Sequence, residues 1–242
     1  LIGRSGVSPA VIDQLIYFLD SGVHPTVPEH GGVGASGDLV QQAHMALGLI
    51  GEGTCSYKGQ RRSTAEVLRE LGRAPLQLQL RDGLGMLNGT ACMTGIGIIN
   101  HHRAQLLLDR AIAMGALLNE IVGPFDDHLS AALNGAKRHL GQNEVAARMR
   151  QALIGRTHTR SQNARFITGA GHGDVYNERI QENYSIRCVP QVLGPILDTM
   201  RECGRVLEDE LGSVDDNPVI DMTDGSVHHG GNFHGDQISI EM

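Results

Sequence analysis

LGMLNGTACMTGIGIINHHRAQLLLDRAIAMGALLNEIV, residues 84–122, is the stretch whose reading decides the fold. Met93, Ile96, Ile99, Leu106, Leu107, Leu108, Ile112, Leu117, Leu118 and Ile121 recur at helical spacing and together cover nearly every face. A helix that is apolar all round is a buried one. The expectation is therefore one long central helix from Leu84 to Val122, packed among others. A second long helix is expected from Pro190 to Leu211, with Val192, Ile196, Met200, Cys203, Leu207 and Leu211 along one stripe. Pro190 suits a first helical turn, where its missing N–H goes unnoticed, so Gln181 to Arg187 are placed in the loop before it.

Working outward, Ser8 before Pro9 makes a helix start, Val11, Leu15, Phe18 and Leu19 follow at helical spacing, and Gly22 closes that helix. Residues 21–37 read as loop, and Asp38 to Ile50 as a second helix. Lys58-Gly59 between short extended runs predicts a hairpin over Thr54 to Arg61. Ser63 with Glu66 three residues on predicts a short helix to Leu71. The fold class is mainly α, a bundle of long helices with functional loops at helix ends. Residues 1–242 read as a single helical domain, and helices this apolar call for an oligomer. The chain begins without Met, and its last segment, Phe233 to Met242, stops inside an apolar pattern. It is therefore read as the central fragment of a longer protein, lacking N-terminal and C-terminal parts.

Composition narrows the function. The net charge is −7, with both signs interspersed, which argues against nucleic acid or an anionic membrane as partner. No apolar run is long enough to cross a bilayer. Cys55, Cys92, Cys188 and Cys203 are far apart and form no Cys-x-x-Cys pair, as expected of reduced thiols in a cytoplasmic protein. With no Trp, the core has to be aliphatic. His101-His102 and His228-His229 with His234 invite a metal reading, but no His-Glu-x-x-His occurs and adjacent histidines on a helix diverge, so no metal is expected.

Gly31-Gly32-Val33-Gly34-Ala35-Ser36-Gly37-Asp38-Leu39 is the chemically informative segment. It lacks the Gly-Lys-Ser/Thr of a phosphate loop. It lacks the strand and acidic residue of a dinucleotide fingerprint, so no nucleotide is expected. Asp38 stands where a nucleophile elbow around Ser36 needs Gly. A plain glycine loop capping a helix stays open. So does backbone cyclisation, in which the Gly37 nitrogen attacks the Ala35 carbonyl carbon and two waters are lost, the second carrying the Ser36 hydroxyl. Gly37 has no Cβ to block that approach, Ser36 supplies the leaving group and Ala35 is small. The product is an electrophile, which no ordinary side chain provides.

Ala35 through Leu39, followed by Ala43-His44-Met45-Ala46-Leu47, resembles the methylidene-imidazolone family of histidine, phenylalanine and tyrosine ammonia-lyases and their aminomutase relatives. The resemblance continues at Gly83-Leu84 and Leu87-Asn88-Gly89-Thr90, at Gln181, at Tyr184 to Cys188 with Pro190-Gln191, at Asp216-Asn217-Pro218, and at His229 to Gly235. It thus covers nearly the whole chain. It implies a carbon–nitrogen lyase of the aromatic ammonia-lyase type. Its cofactor, 4-methylidene-imidazol-5-one, would form from Ala35, Ser36 and Gly37. Asn88 would stand beside that ring and the substrate amine. Arg187 would clamp the substrate carboxylate with its planar fork, and Asn217 would help. Tyr184 would assist ring chemistry and proton handling, while Gln181 and Phe233 would orient the pocket.

The resemblance further implies a homotetramer with sites shared between chains. It places the general base on a tyrosine before this segment and an acidic residue that places the substrate amine after it, so the isolated segment is expected to be inactive. The block from His229 looks most like bacterial tyrosine-type lyases, and tyrosine, then histidine, then phenylalanine is the expected order of substrates. An aminomutase and a non-catalytic helical scaffold remain as alternatives, since fold alone does not give function.

Overall fold

A computed structural model describes residues 2–34, 36–156, 158, 160–161 and 181–241. The stretch read as a single domain divides into two compact units, Leu1–Ile98 with Val206–Met242, and Ile99–Arg205.

In the first unit, helix α1 spans Pro9–Ser21, with Ser8 in extended backbone before it and Gly22 closing it at φ 67°. The Ser8 side chain does not cap its own helix. Its N–H and hydroxyl instead donate to the Asp82 carboxylate at 2.6 and 2.8 Å. Strand β1 (His24–Pro25) pairs antiparallel with β2 (Thr54–Tyr57), and β2 with β3 (Gln60–Ser63), so that Thr54 faces Ser63 and Tyr57 faces Gln60 across the Lys58-Gly59 turn. In sequence, helix α2 (Leu39–Leu49) lies between β1 and β2, and α3 (Thr64–Glu70) follows β3. Val11, Phe18, Val23, Leu49, Cys55, Tyr57, Val67, Leu68 and Leu76 form one buried cluster. Near the chain's end, β4 (Val219–Ile220) and β5 (Val227–His228) make a small hairpin that the sequence pattern did not signal.

The helix expected from Leu84 to Val122 is two helices. Helix α4 covers Asp82–Leu87, Asn88 turns extended at φ −91° and ψ 108°, and α5 runs from Ala91 to Val122. The break is enforced from outside the segment. The Gly89 carbonyl accepts the Asp38 N–H at 2.8 Å and the Thr90 N–H donates to Asp215 at 2.7 Å, so neither group can join a helical ladder.

In the second unit, a 3₁₀ turn (Asp126–Leu129) leads to α6 (Ala131–Gly135) and α7 (Leu140–Ala152). The segment expected as loop from Gln181 to Arg187 contains one helical turn, α8 (Tyr184–Arg187). The Asn183 carbonyl accepts both the Ile186 and Arg187 N–H at 3.0 Å, which winds that turn before α9 (Val189–Leu211) begins. Leu108, Ile112 and Ala116 of α5 pack with Leu129, Val145, Met149 and Leu197.

Full burial of the 91–122 helix does not hold in the single chain. One stripe is covered, while Ile99 is 54%, Leu107 67%, Leu117 48% and Ile121 67% exposed. On α9, Leu207 is buried but Val192 and Leu211 stand at 60% and 69% exposure. Periodicity reports which side chains are apolar; the neighbours that cover them decide burial.

Candidate active site

The glycine-rich loop delivers its last residues to the start of α2 in a tight bend. Ser36 and Gly37 are consecutive residues in the left-handed region, at φ 57° and 81°. For a residue with a Cβ, as Ser36 is, that conformation is uncommon and needs support from its surroundings. Ala35 lies outside the described residues.

The support is a shelf formed by the α4–α5 break. Gly37 and Gly89 form a parallel bridge. The Asn88 side-chain amide donates to the Ser36 carbonyl oxygen at 2.9 Å. The Gly89 carbonyl accepts the Asp38 N–H at 2.8 Å and the Gln42 side-chain amide at 2.9 Å. Approach is so close that a Cβ on residue 37 would lie 2.1 Å from the Gly89 oxygen and 3.1 Å from the Phe233 oxygen. Only glycine fits there. The Asp38 carboxylate, rather than capping its own helix, accepts the Met93 N–H at 2.7 Å in the first turn of α5. Thr90, fully buried, donates its N–H to Asp215, and its hydroxyl lies within reach of the Glu210 and Asp215 carboxylates.

The segment 213–235 closes on the same unit. Asp216, buried, pairs with Arg81 at 2.7 Å. Asn217, joined to Pro218 by a cis bond, accepts the Gly230 N–H on its side-chain oxygen at 2.8 Å. That leaves the Asn217 amide N–H groups without a partner among the described residues. Ser36, Gly37, Asn88, Asn217 and Phe233 therefore belong to the first unit, with the Phe233 backbone against Gly37.

Gln181, Tyr184 and Arg187 meet in the second unit. The Arg187 guanidinium donates to the Gln181 side-chain oxygen at 2.7 Å and lies over the Tyr184 ring, 4.6 Å from its centroid. Tyr184 is 72% exposed, and the Arg187 Nε has no hydrogen-bond partner among the described residues. A stacked, half-satisfied guanidinium keeps donors for a carboxylate.

Other titratable groups have structural occupations. The Cys92 thiol is pushed up by burial and by the nearby Asp38 carboxylate, which makes it a poor nucleophile. His101 contacts the Met200 carbonyl at 2.7 Å, His228 the Ser226 hydroxyl at 2.8 Å, and His234 the Asp236 carboxylate at 2.9 Å. Among the described residues no three His, Cys, Asp or Glu side chains form a metal-holding group. No helix among them is long and apolar enough to cross a membrane.

Sequence reasoning assigned no role to Asp38, Gln42 or Asp215. Asp38 stood inside the quoted motif and could have been asked what its carboxylate caps. Gln42 and Asp215 carried no such signal, because their partners lie 47 and 125 residues away.

Known proteins bear on this geometry in three ways. Residues 1–242 match the family described as aromatic amino acid lyase. The chain is similar to the histidine ammonia-lyase of Geobacillus thermodenitrificans (strain NG80-2), 41% identical over 242 residues, all of this chain and 45% of that protein. It is similar to the tyrosine ammonia-lyase of Cupriavidus metallidurans, 39% identical over 257 residues, 99% of this chain and 46% of that one. Its fold is similar to that of the phenylalanine aminomutase of Pantoea agglomerans, with a TM-score of 0.92 and 32% identity, covering 99% of this chain and 47% of that one. The chain thus spans about half the length of the relatives it matches.

Proposed function

The chain belongs to the aromatic amino acid lyase family, and from that premise we propose that the protein carrying it eliminates ammonia from tyrosine, histidine or phenylalanine to give a trans-unsaturated acid. The electrophile is a methylidene-imidazolone formed from Ala35, Ser36 and Gly37. The observation that carries this reading is the Asn88 amide on the Ser36 carbonyl beside a Gly37 where no Cβ fits.

The residues suit the group. Ser36 and Gly37, both in the left-handed region, suit the bent backbone that ring closure requires. The Gly37 nitrogen bonds to the Ala35 carbonyl carbon, whose oxygen leaves as water. The Ser36 hydroxyl then leaves with the α-proton as a second water. The Ser36 carbonyl is conjugated with the new double bond, so the Asn88 donor draws electron density toward that oxygen. Once formed, the ring supplies an electrophile that turns ammonia into a better leaving group.

The remaining roles belong to the chain's side chains. Arg187, stacked on Tyr184 and tied to Gln181, holds the substrate carboxylate by its fork. On the first unit, the Asn217 side-chain amide offers N–H donors to a carboxylate, and Phe233 lies at Gly37. Tyr184, open to solvent on its own unit, handles a proton. Neither metal nor nucleotide is needed. The exposed apolar side chains of α5 and α9 support a homotetramer, and four cysteines far apart in sequence with no Cys-x-x-Cys pair support a cytoplasmic setting.

A second reading keeps the cofactor but returns ammonia to the neighbouring carbon, as an aminomutase would. It is supported by the fold similarity to a phenylalanine aminomutase. The test uses the full-length protein with tyrosine, histidine and phenylalanine in parallel. Ultraviolet absorbance of an unsaturated acid from one of them is the expected result. A β-amino acid in its place selects the aminomutase, and no product from any of them contradicts both.

A further inference from the structure

We propose that Gln42 is a positioning residue, whose amide fixes the Gly89–Thr90 peptide and thereby sets the Asn88 donor on the Ser36 carbonyl. The proposal rests on the reading of Ala35-Ser36-Gly37 as the electrophile's source.

Gln42 lies in the first turns of α2, four residues after Asp38, whose carbonyl accepts its N–H at 3.0 Å. It is 8% exposed and shares the buried side of that helix with Ala46, Gly48 and Leu49. A glutamine amide on such a side costs free energy unless its polar atoms are used. Here the amide nitrogen donates to the Gly89 carbonyl at 2.9 Å. The same carbonyl accepts the Asp38 N–H, a backbone donor that any residue at 38 would supply. Gln42 is thus the side chain that grips the oxygen end of the 89–90 peptide. Asp215 grips its nitrogen end, accepting the Thr90 N–H at 2.7 Å.

A peptide plane held at both ends cannot rotate. Asn88 is the next residue back, in extended backbone, and its own amide reaches Ser36 from there. If the oxygen end loosens, the Asn88 carboxamide loses its fixed distance to Ser36. Among the described residues, the Gln42 amide donates to Gly89 and makes no hydrogen bond to Ser36. Its loss should therefore lower ring formation and turnover without changing substrate affinity.

Two variants of the full-length protein test this. Gln42→Leu keeps the approximate volume and removes the donor. Gln42→Glu keeps the shape, and its carboxyl donates to Gly89 only when protonated. The readouts are the rate at which the peptide spanning residues 35–37 loses two waters after refolding, kcat and KM separately, and melting temperature. For Gln42→Leu, dehydration and kcat should fall about tenfold, the cost of one buried hydrogen bond, with KM unchanged. Gln42→Glu should match it in mildly alkaline buffer and recover toward wild type in mildly acidic buffer, while Gln42→Leu stays flat. Folded variants that dehydrate and turn over at the wild-type rate would overturn the role of Gln42 alone. Should Gln42→Leu fail to fold, a Gln42→Glu protein with no such acid recovery has the same force. A wild-type peptide with its full mass would sink this proposal and the electrophile together.

Discussion

The shelf around Ser36 and the turn around Arg187 are made in opposite ways. At the shelf, backbone meets backbone. Gly37 bridges Gly89, Asn88 and Thr90 are buried, and the contacts reach Asp38, Gln42 and Asp215 within one compact unit. At the turn, three side chains lean on one another near the surface, and Tyr184 is largely open to solvent. The shelf is completed by this chain's own contacts; the turn keeps donors unspent. Changes at the shelf should therefore strike the making of the electrophile, and changes at the turn the holding of a substrate.

The largest effect falls on Ser36→Ala. Without a leaving hydroxyl no methylidene can form, and turnover should fall by about three orders of magnitude or more. The peptide spanning residues 35–37 should then keep at least one of the two waters. Asn88→Ala comes next. Removing one preorganised donor should lower kcat by about a hundredfold, and dehydration should slow as well. A normal dehydration rate in that variant would break the shelf account. Arg187→Lys keeps the charge but loses the fork. KM should rise about tenfold while the mass of the 35–37 peptide stays as in wild type. A fall in dehydration there would erase the contrast between the two regions.

The smallest effects are on stability, and acid should separate the two units. In the second unit, His128 is buried against Asn119 at 2.8 Å, and burial pushes its imidazole down from the usual value. The unfolded chain then binds the proton more readily, so this unit loses stability as pH falls through the ordinary imidazole range, about 6.5. Asp82 of the first unit behaves differently. Burial raises its carboxyl, but the Ser8 and Gln79 N–H groups and the Ser8 hydroxyl together outweigh this and leave it below the usual value. Its stabilisation is present above the unfolded carboxyl value and disappears only as pH falls through the lower folded one. Asp82→Asn should cost about 1–3 kcal/mol at neutral pH. Hydrogen exchange followed from pH 7 downward should show protection lost first around His128; loss of both units in one step would contradict the distinction.

What could be read in the sequence follows the same divide between local and distant causes. Ser8-Pro9, Gly22 and the Lys58-Gly59 turn act within a few residues, and the helix and hairpin they mark are present. The break at Asn88-Gly89-Thr90 was not legible as a break, because the groups that hold it come from Asp38, Gln42 and Asp215. The apolar pattern of residues 91–122 gave a helix correctly but not its exposure, since one chain covers one stripe of it. Of the residues named from family resemblance, Ser36, Gly37, Asn88 and Phe233 meet in one unit and Gln181, Tyr184 and Arg187 in the other. Resemblance could name them because it draws on order along the chain; spacing alone could not.

The central claim is that the backbone at Ser36 is chemically altered in the mature protein. Digestion of the full-length protein and accurate mass of the peptide spanning residues 35–37 tests this most directly. The account predicts a peptide lighter than its sequence by two water molecules. A peptide of full sequence mass, from protein that is folded and intact, would contradict it.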